Sequence, residues 1–319
     1  MLEAARRLAG CTRRAGAAGA VALALVTTAC GGGHRSAAPP PPELGVRVAS
    51  FNFPESRLLA EIYVQAIEDE GVGVRRELDL GPRELVLPAL LQGLVDVVPE
   101  YVGSALTAVD PGTSVEGLDT GEVERRLAAA VEPRGLAVLD ASAAQNQNGL
   151  AVTRATAEQR GIGTVSDLEG LGPGLVLGGP PECPQRRYCI PGLLDVYGLR
   201  FASFVPLDGS ALVRRALEDG VIDVGVMFTT DGFLAGGDVV LLADDGGLQP
   251  VENVVPVVRR EVLDGPDGGT VEAALDEVSQ RLTTANLRFL NWRVTVAGNA
   301  PAHEARAWLI RQGLIDRSA

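Results

Sequence analysis

The sequence predicts an α/β protein of two lobes, each built on an open and mostly parallel sheet. Strand-like and helix-like segments alternate along most of the chain. One thirteen-residue pattern occurs twice without a gap. The length of 319 residues is enough for two lobes of ordinary size. Hydrophobic content of 46% beside 22% charged residues describes a packed globular protein.

The elements follow in order. "VRVAS" (46–50) reads as a short strand, after which Pro54 opens a helix. Leu58, Leu59, Ile62, Ala66 and Ile67 recur along that helix at helical spacing, and Gly71 ends it. A strand is expected near 74–80, a helix over 82–92, a strand near 94–98 and a helix over 121–132. Past residue 148, "GLAVT", "GLVLG", "FASFVPL", "VIDVGVM" and "DVVLLA" read as strands separated by helical stretches. The tail, 270–312, reads as helical throughout.

The repeated pattern is the most informative. "ALLQGLVDVVPEY" (89–101) and "ALEDGVIDVGVMF" (216–228) share Ala-Leu-x-x-Gly-x-x-Asp-Val-x-x-x-aromatic. In each, a helix ends at a glycine, a buried strand follows, and an aromatic residue comes just past the strand's carboxyl end. Open α/β sheets bind ligands at that end. One copy per lobe would set Tyr101 and Phe228 on opposite walls of a cleft.

The N-terminus supplies an address. Arg6, Arg7, Arg13 and Arg14 precede an apolar run from Ala15 to Val26, and "TTACGGG" follows. That is the layout of a secretory signal, too short to span a bilayer as a mature helix. A small-residue cleavage site immediately before Cys30 resembles the bacterial lipoprotein signal, although Thr27 stands where leucine is usual. Residues 1–29 are therefore expected to be a signal peptide and Cys30 a lipidated residue. Residues 30–45, with four consecutive prolines, are expected to form a partly stiff tether. The protein is expected on the outer face of the cytoplasmic membrane as an exported lipoprotein.

Export decides the reading of the other cysteines. Cys11 lies in the signal, so Cys183 and Cys189 remain, and in an oxidising compartment they are expected to form a disulfide. A zinc site would need further ligands, and the only histidines are His34 in the tether and His303 near the C-terminus. No metal or other cofactor is expected. The net charge of −13 argues against nucleic acid as a partner.

"VASFNFPES", "LAEIYVQAIE", "PALLQGLVDVVPEYVGSAL", "VYGLRF" and "FTTDG" occur in one order over about 46–315. In these motifs the chain resembles the substrate-binding lipoproteins of osmoprotectant ABC importers, which bind glycine betaine, choline or carnitine. The resemblance implies the two-lobed periplasmic-binding-protein fold (type II-like), with two chain crossings and a ligand cleft between the lobes. It places lobe one at 46–145 plus 250–319 and lobe two at 146–249. It also implies a small amine or zwitterion as ligand, ABC permease and ATPase subunits as partners, and no catalysis.

In that family a tyrosine cage holds the trimethylammonium group, and an arginine and a lysine meet the carboxylate. By position, Tyr101 matches a cage tyrosine, Ser104 a polar residue of the same turn, and Arg186 the carboxylate-binding arginine. Elsewhere the chain departs. The lysine segment reads Ser50-Phe51-Asn52-Phe53. The other cage positions fall at Asn148, near Phe228, and near Glu252 and Asn253. Phe51 could supply a replacement wall and Glu252 a charge for a cation. The pocket is thus expected to prefer something other than glycine betaine, a larger or more polar amine or zwitterion. Two other classes compete: an exported enzyme, for which no acid–base set stands out, and a sensory module using the same fold.

Overall fold

The computed structural model describes residues 45–316. Cys30, the expected signal and nearly all of the expected tether lie outside the described residues.

The first lobe opens with β1 (Val46–Phe51), α1 (Pro54–Asp69), β2 (Val74–Gly81) and α2 (Arg83–Leu91), then β3 (Val97–Tyr101), α3 (Val102–Val109), α4 (Thr120–Val131) and β4 (Leu136–Val138). The second lobe contains β5 (Asn148–Thr153), α5 (Arg154–Arg160), β6 (Val176–Gly179), α6 (Ile190–Tyr197), β7 (Ser203–Pro206), α7 (Ser210–Glu218), β8 (Val224–Phe228) and β9 (Val239–Leu241). The chain then returns through β10 (Val254–Arg259) to α8 (Arg260–Leu263), α9 (Gly268–Arg281), α10 (Thr284–Asn291) and α11 (Pro301–Gln312).

Two five-stranded sheets result, ordered β2-β1-β3-β10-β4 and β7-β6-β8-β5-β9. They are alike in design. β1 and β6 each pair in parallel with two neighbours, while β10 and β5 run antiparallel to theirs. The sheets are therefore mixed rather than mostly parallel. The antiparallel members are the strands that arrive from the other lobe, so they enter from the opposite direction. The chain passes between the sheets twice, from β4 to β5 and from β9 to β10.

Each sheet is covered on both faces. In the first lobe, Leu58, Leu59, Ile62 and Ile67 of α1 are fully buried and share a core with Leu275, Val278 and Trp308. Val86, Leu90, Leu106 and Leu127 fill the opposite face. In β5 the alternation is plain: Leu150 and Val152 join one core, Ala151 the other. Burying one leucine of α1 contributes roughly 1.5–3 kcal/mol.

Other differences from the sequence reading are local. The strand expected near 94–98 begins at Val97, because Leu94 to Asp96 form the turn into it. The helix α3 starts directly after Tyr101. The helical tail breaks between α9 and α10, where the Thr283 hydroxyl accepts the Asn286 N–H and starts a new helix, and again before Pro301. α10 then lies against the 3₁₀ turn Gly232–Gly236 of the second lobe. Gly232 permits that approach: a Cβ there would sit 2.6 Å from the Trp292 backbone nitrogen. Gly232→Ala is therefore expected to lower stability by about 1–3 kcal/mol through overpacking. Urea denaturation of both proteins measures the difference.

Candidate functional site

A cavity of about 490 Å³ lies between the lobes. The first lobe contributes Arg83 and Glu84 of α2 and Gly103, Ser104, Thr107 and Ala108 of α3. The second contributes Phe228 at the end of β8 and the loop Pro180–Cys189. The crossing segments add Asn146, Gln147, Asn148, Gln249, Pro250 and Glu252. The cavity thus opens where β3 and β8 end, the position the repeated pattern predicts.

Glu252 is the half-buried carboxylate of this wall. Its oxygens accept the Ser104 N–H at 3.0 Å and the Ser104 hydroxyl at 2.7 Å. It thereby caps α3, whose own N-cap, Tyr101, offers no side-chain acceptor. Burial raises the Glu252 pKa, against the Ser104 hydrogen bonds and the Arg83 charge. Gly103 lets the helix come this close, since a Cβ there would lie 2.5 Å from the Val251 carbonyl oxygen. Arg83 is committed elsewhere: its Nε and Nη2 donate to Glu100, the latter at 2.8 Å, and its guanidinium lies 5.1 Å above the Phe51 ring.

The opposite wall is the stapled loop. Cys183 and Cys189 are disulfide-bonded, with Cα atoms 5.3 Å apart. The loop reaches across the cleft. Arg187 pairs with Glu116 of the first lobe, and Tyr188 packs against cores of both lobes. Arg186 remains 71% exposed, with a 3.7 Å approach to Glu182.

Of the expected site residues, Ser104, Asn148, Arg186, Phe228 and Glu252 come together on this wall. Phe51, Asn52, Tyr101 and Asn253 are not part of it. Phe51 is buried under Arg83, so it supplies no replacement wall. Asn52 is exposed. Asn253 is buried, its Oδ1 accepting the Thr120 hydroxyl and its Nδ2 donating to the Ser142 carbonyl. Tyr101 ends β3 as Phe228 ends β8, but the two rings differ in fate. Phe228 is 47% exposed, whereas Tyr101 is 6% exposed and donates its hydroxyl to Glu55 at 2.5 Å.

Glu55 was not visible as a site residue in the sequence, where it reads as an ordinary first-turn acid of α1. Its carboxylate is buried at the meeting of both lobes. It accepts from Tyr101 and from Asn146 Nδ2 at 2.7 Å on one oxygen, and from Asn291 Nδ2 on the other. Asn291 also donates to the Thr230 carbonyl of the second lobe at 2.8 Å. Burial raises the Glu55 pKa, opposed by hydrogen bonds from Thr230, Tyr101, Asn291 and Asn146. Asn146 and Arg83, both on the cavity wall, were likewise unmarked by any motif.

Residues 45–311 match the family model described as the substrate binding domain of ABC-type glycine betaine transport systems. The chain belongs to this family. It is 30% identical to the glycine-betaine-binding protein of Pseudomonas aeruginosa, over 85% of this chain and 89% of that one. It is 26% identical to the glycine betaine-binding protein YehZ of Escherichia coli, over 84% and 90%. A solved glycine betaine/carnitine/choline ABC transporter structure superposes with a TM-score of 0.78 at 23% identity, covering 85% of this chain and all of that one. The protein is thus a substrate-binding component of an ABC-type transport system, with the two-lobed fold of periplasmic binding proteins. Among the described residues no helix is long and apolar enough to cross a membrane.

Two expectations follow from the site. Glu55→Gln sets an amide N–H against the amide N–H of either Asn146 or Asn291, and is expected to cost about 3 kcal/mol in denaturant unfolding. The short disulfide loop contributes about 2 kcal/mol by the loop-entropy relation. Cys183→Ser with Cys189→Ser should lose that much, and thiol labelling of the denatured, unreduced parent domain should find both sulfurs blocked.

Proposed function

We propose that the protein captures a small zwitterion of the glycine betaine class outside the cytoplasm and delivers it to an ABC permease and its ATPase. In this reading it has no catalytic role and is held at the membrane by lipid on Cys30. The observation that carries the reading is one cavity with a half-buried carboxylate on the first lobe and an exposed arginine on the second. The cationic end of the ligand lies against Glu252, with Asn148 beside it on the wall. The carboxylate end lies against Arg186, presented by the stapled loop, and Phe228 covers the ligand from the second lobe. Arginine meets a carboxylate through two parallel N–H donors, which fixes orientation as well as adding affinity. A ligand charged at both ends joins the lobes, so it stabilises the closed arrangement over the open one.

Titration calorimetry with glycine betaine, carnitine and choline tests this. The two zwitterions should bind, and choline, lacking a carboxylate, should bind at least ten-fold more weakly. Arg186→Ala should weaken the zwitterions by roughly ten-fold, about 1.4 kcal/mol, and leave choline unchanged. No binding of any of the three, nor of glycine or its less methylated derivatives, would overturn the proposal. Cys30→Ala should release the protein from membranes; retention there would remove the anchor.

A further inference from the structure

A quaternary ammonium group has no N–H to donate and is recognised through aromatic faces. The first lobe has withdrawn its faces from the cavity. Phe51, Phe53 and Tyr101 stack on one another, with centroids 5.8 and 6.4 Å apart, and none of the three is on the wall. Among the described residues only Tyr188 and Phe228 bring rings to it, both from the second lobe.

What the first lobe and the adjoining crossing segments offer instead is hydrogen-bond acceptors. Each oxygen of Glu252 accepts one hydrogen bond, from Ser104, and a carboxylate oxygen has room for a second. Among the described residues no guanidinium hydrogen-bonds to it, and Arg83 spends its fork on Glu100. Asn146 adds an amide oxygen. Its Nδ2 must face the Glu55 carboxylate, since the reverse orientation would set oxygen against oxygen. Its Oδ1 is left buried with no hydrogen-bond partner. A wall of acceptors with few ring faces is matched to a cation that donates.

We infer that the amine end of the ligand carries at least one N–H and donates it to Glu252, with Asn146 Oδ1 as a second acceptor. The substrate class is a protonated, incompletely methylated amine bearing a carboxylate. This rests on the zwitterion reading above and narrows it. An N–H donor approaches a carboxylate oxygen to about 2.7–2.9 Å, whereas methyl groups hold a quaternary nitrogen farther away.

The test is a titration series at constant carboxylate: glycine betaine, N,N-dimethylglycine, sarcosine and glycine, with the protein and with Glu252→Gln. The glutamine keeps an oxygen for the Ser104 N–H, so the cap of α3 persists while the charge is lost. In the parent protein, dimethylglycine or sarcosine should bind at least ten-fold tighter than glycine betaine. In Glu252→Gln that preference should fall below three-fold, with the thermal midpoint little changed. Glycine betaine binding as tightly as the others in the parent overturns the inference but leaves the zwitterion reading intact. A preference that persists in the variant also overturns it and makes Glu252 a cap alone. If the variant does not fold, the ranking in the parent decides. If neither this series nor carnitine binds, the zwitterion reading fails with it.

Discussion

The arrangement depends on one buried carboxylate. Glu55 draws donors from β3 through Tyr101, from the first crossing through Asn146, and from α10 through Asn291. A desolvated carboxylate is tolerable only while such donors surround it, so its burial obliges three distant segments to meet at one point. Asn291 carries the tie into the second lobe through the Thr230 carbonyl, and Arg288 does likewise at Thr229. The consequence for the site is direct. Tyr101, bound to this centre, does not face the ligand cavity, and the Asn146 amide is held in one orientation.

The site that remains is polarised across the cleft between the lobes. Glu252 belongs to the first lobe through α3, and Arg186 to the second through the stapled loop. Arg187 and Tyr188 already span the gap from that loop. A ligand with both charges adds a third bridge, and its binding energy is then also closure energy. Replacing ring faces by acceptors shifts discrimination from shape and cation–π contact to hydrogen bonding. Hydrogen-bonding sites reject ligands that leave their polar groups unpaired.

Much of the fold was legible because periodicity and punctuation report directly on it. The apolar spacing of Leu58, Leu59, Ile62 and Ile67 marked α1, and Pro54 and Gly71 its ends. The repeated pattern located β3 and β8 at equivalent places in the two sheets. Strand direction was not legible, because β5 and β10 take theirs from the crossings rather than from their own residues. The site was legible by half. Ser104, Asn148, Arg186, Phe228 and Glu252, chosen by family position, do line the cavity, though their roles there are part of the proposal. The fate of Tyr101 could not be read that way, because it depends on Glu55, forty-six positions away in sequence, and on Asn146 and Asn291. Likewise nothing near Asn146 in sequence announces that its oxygen is left over. Convergence of polar groups from four segments is a tertiary property, and no local window contains it.

In the proposed pose the ligand lies across the cleft, amine toward Glu252 and carboxylate toward Arg186. A crystal structure of the protein with its tightest-binding methylated glycine tests this most directly. The expected result is a ligand nitrogen within hydrogen-bond distance of a Glu252 oxygen, the carboxylate on the Arg186 guanidinium, and Tyr101 still bonded to Glu55. A ligand nitrogen enclosed by Tyr101, Phe51 and Phe228, with Glu252 bonded only to Ser104, would contradict it.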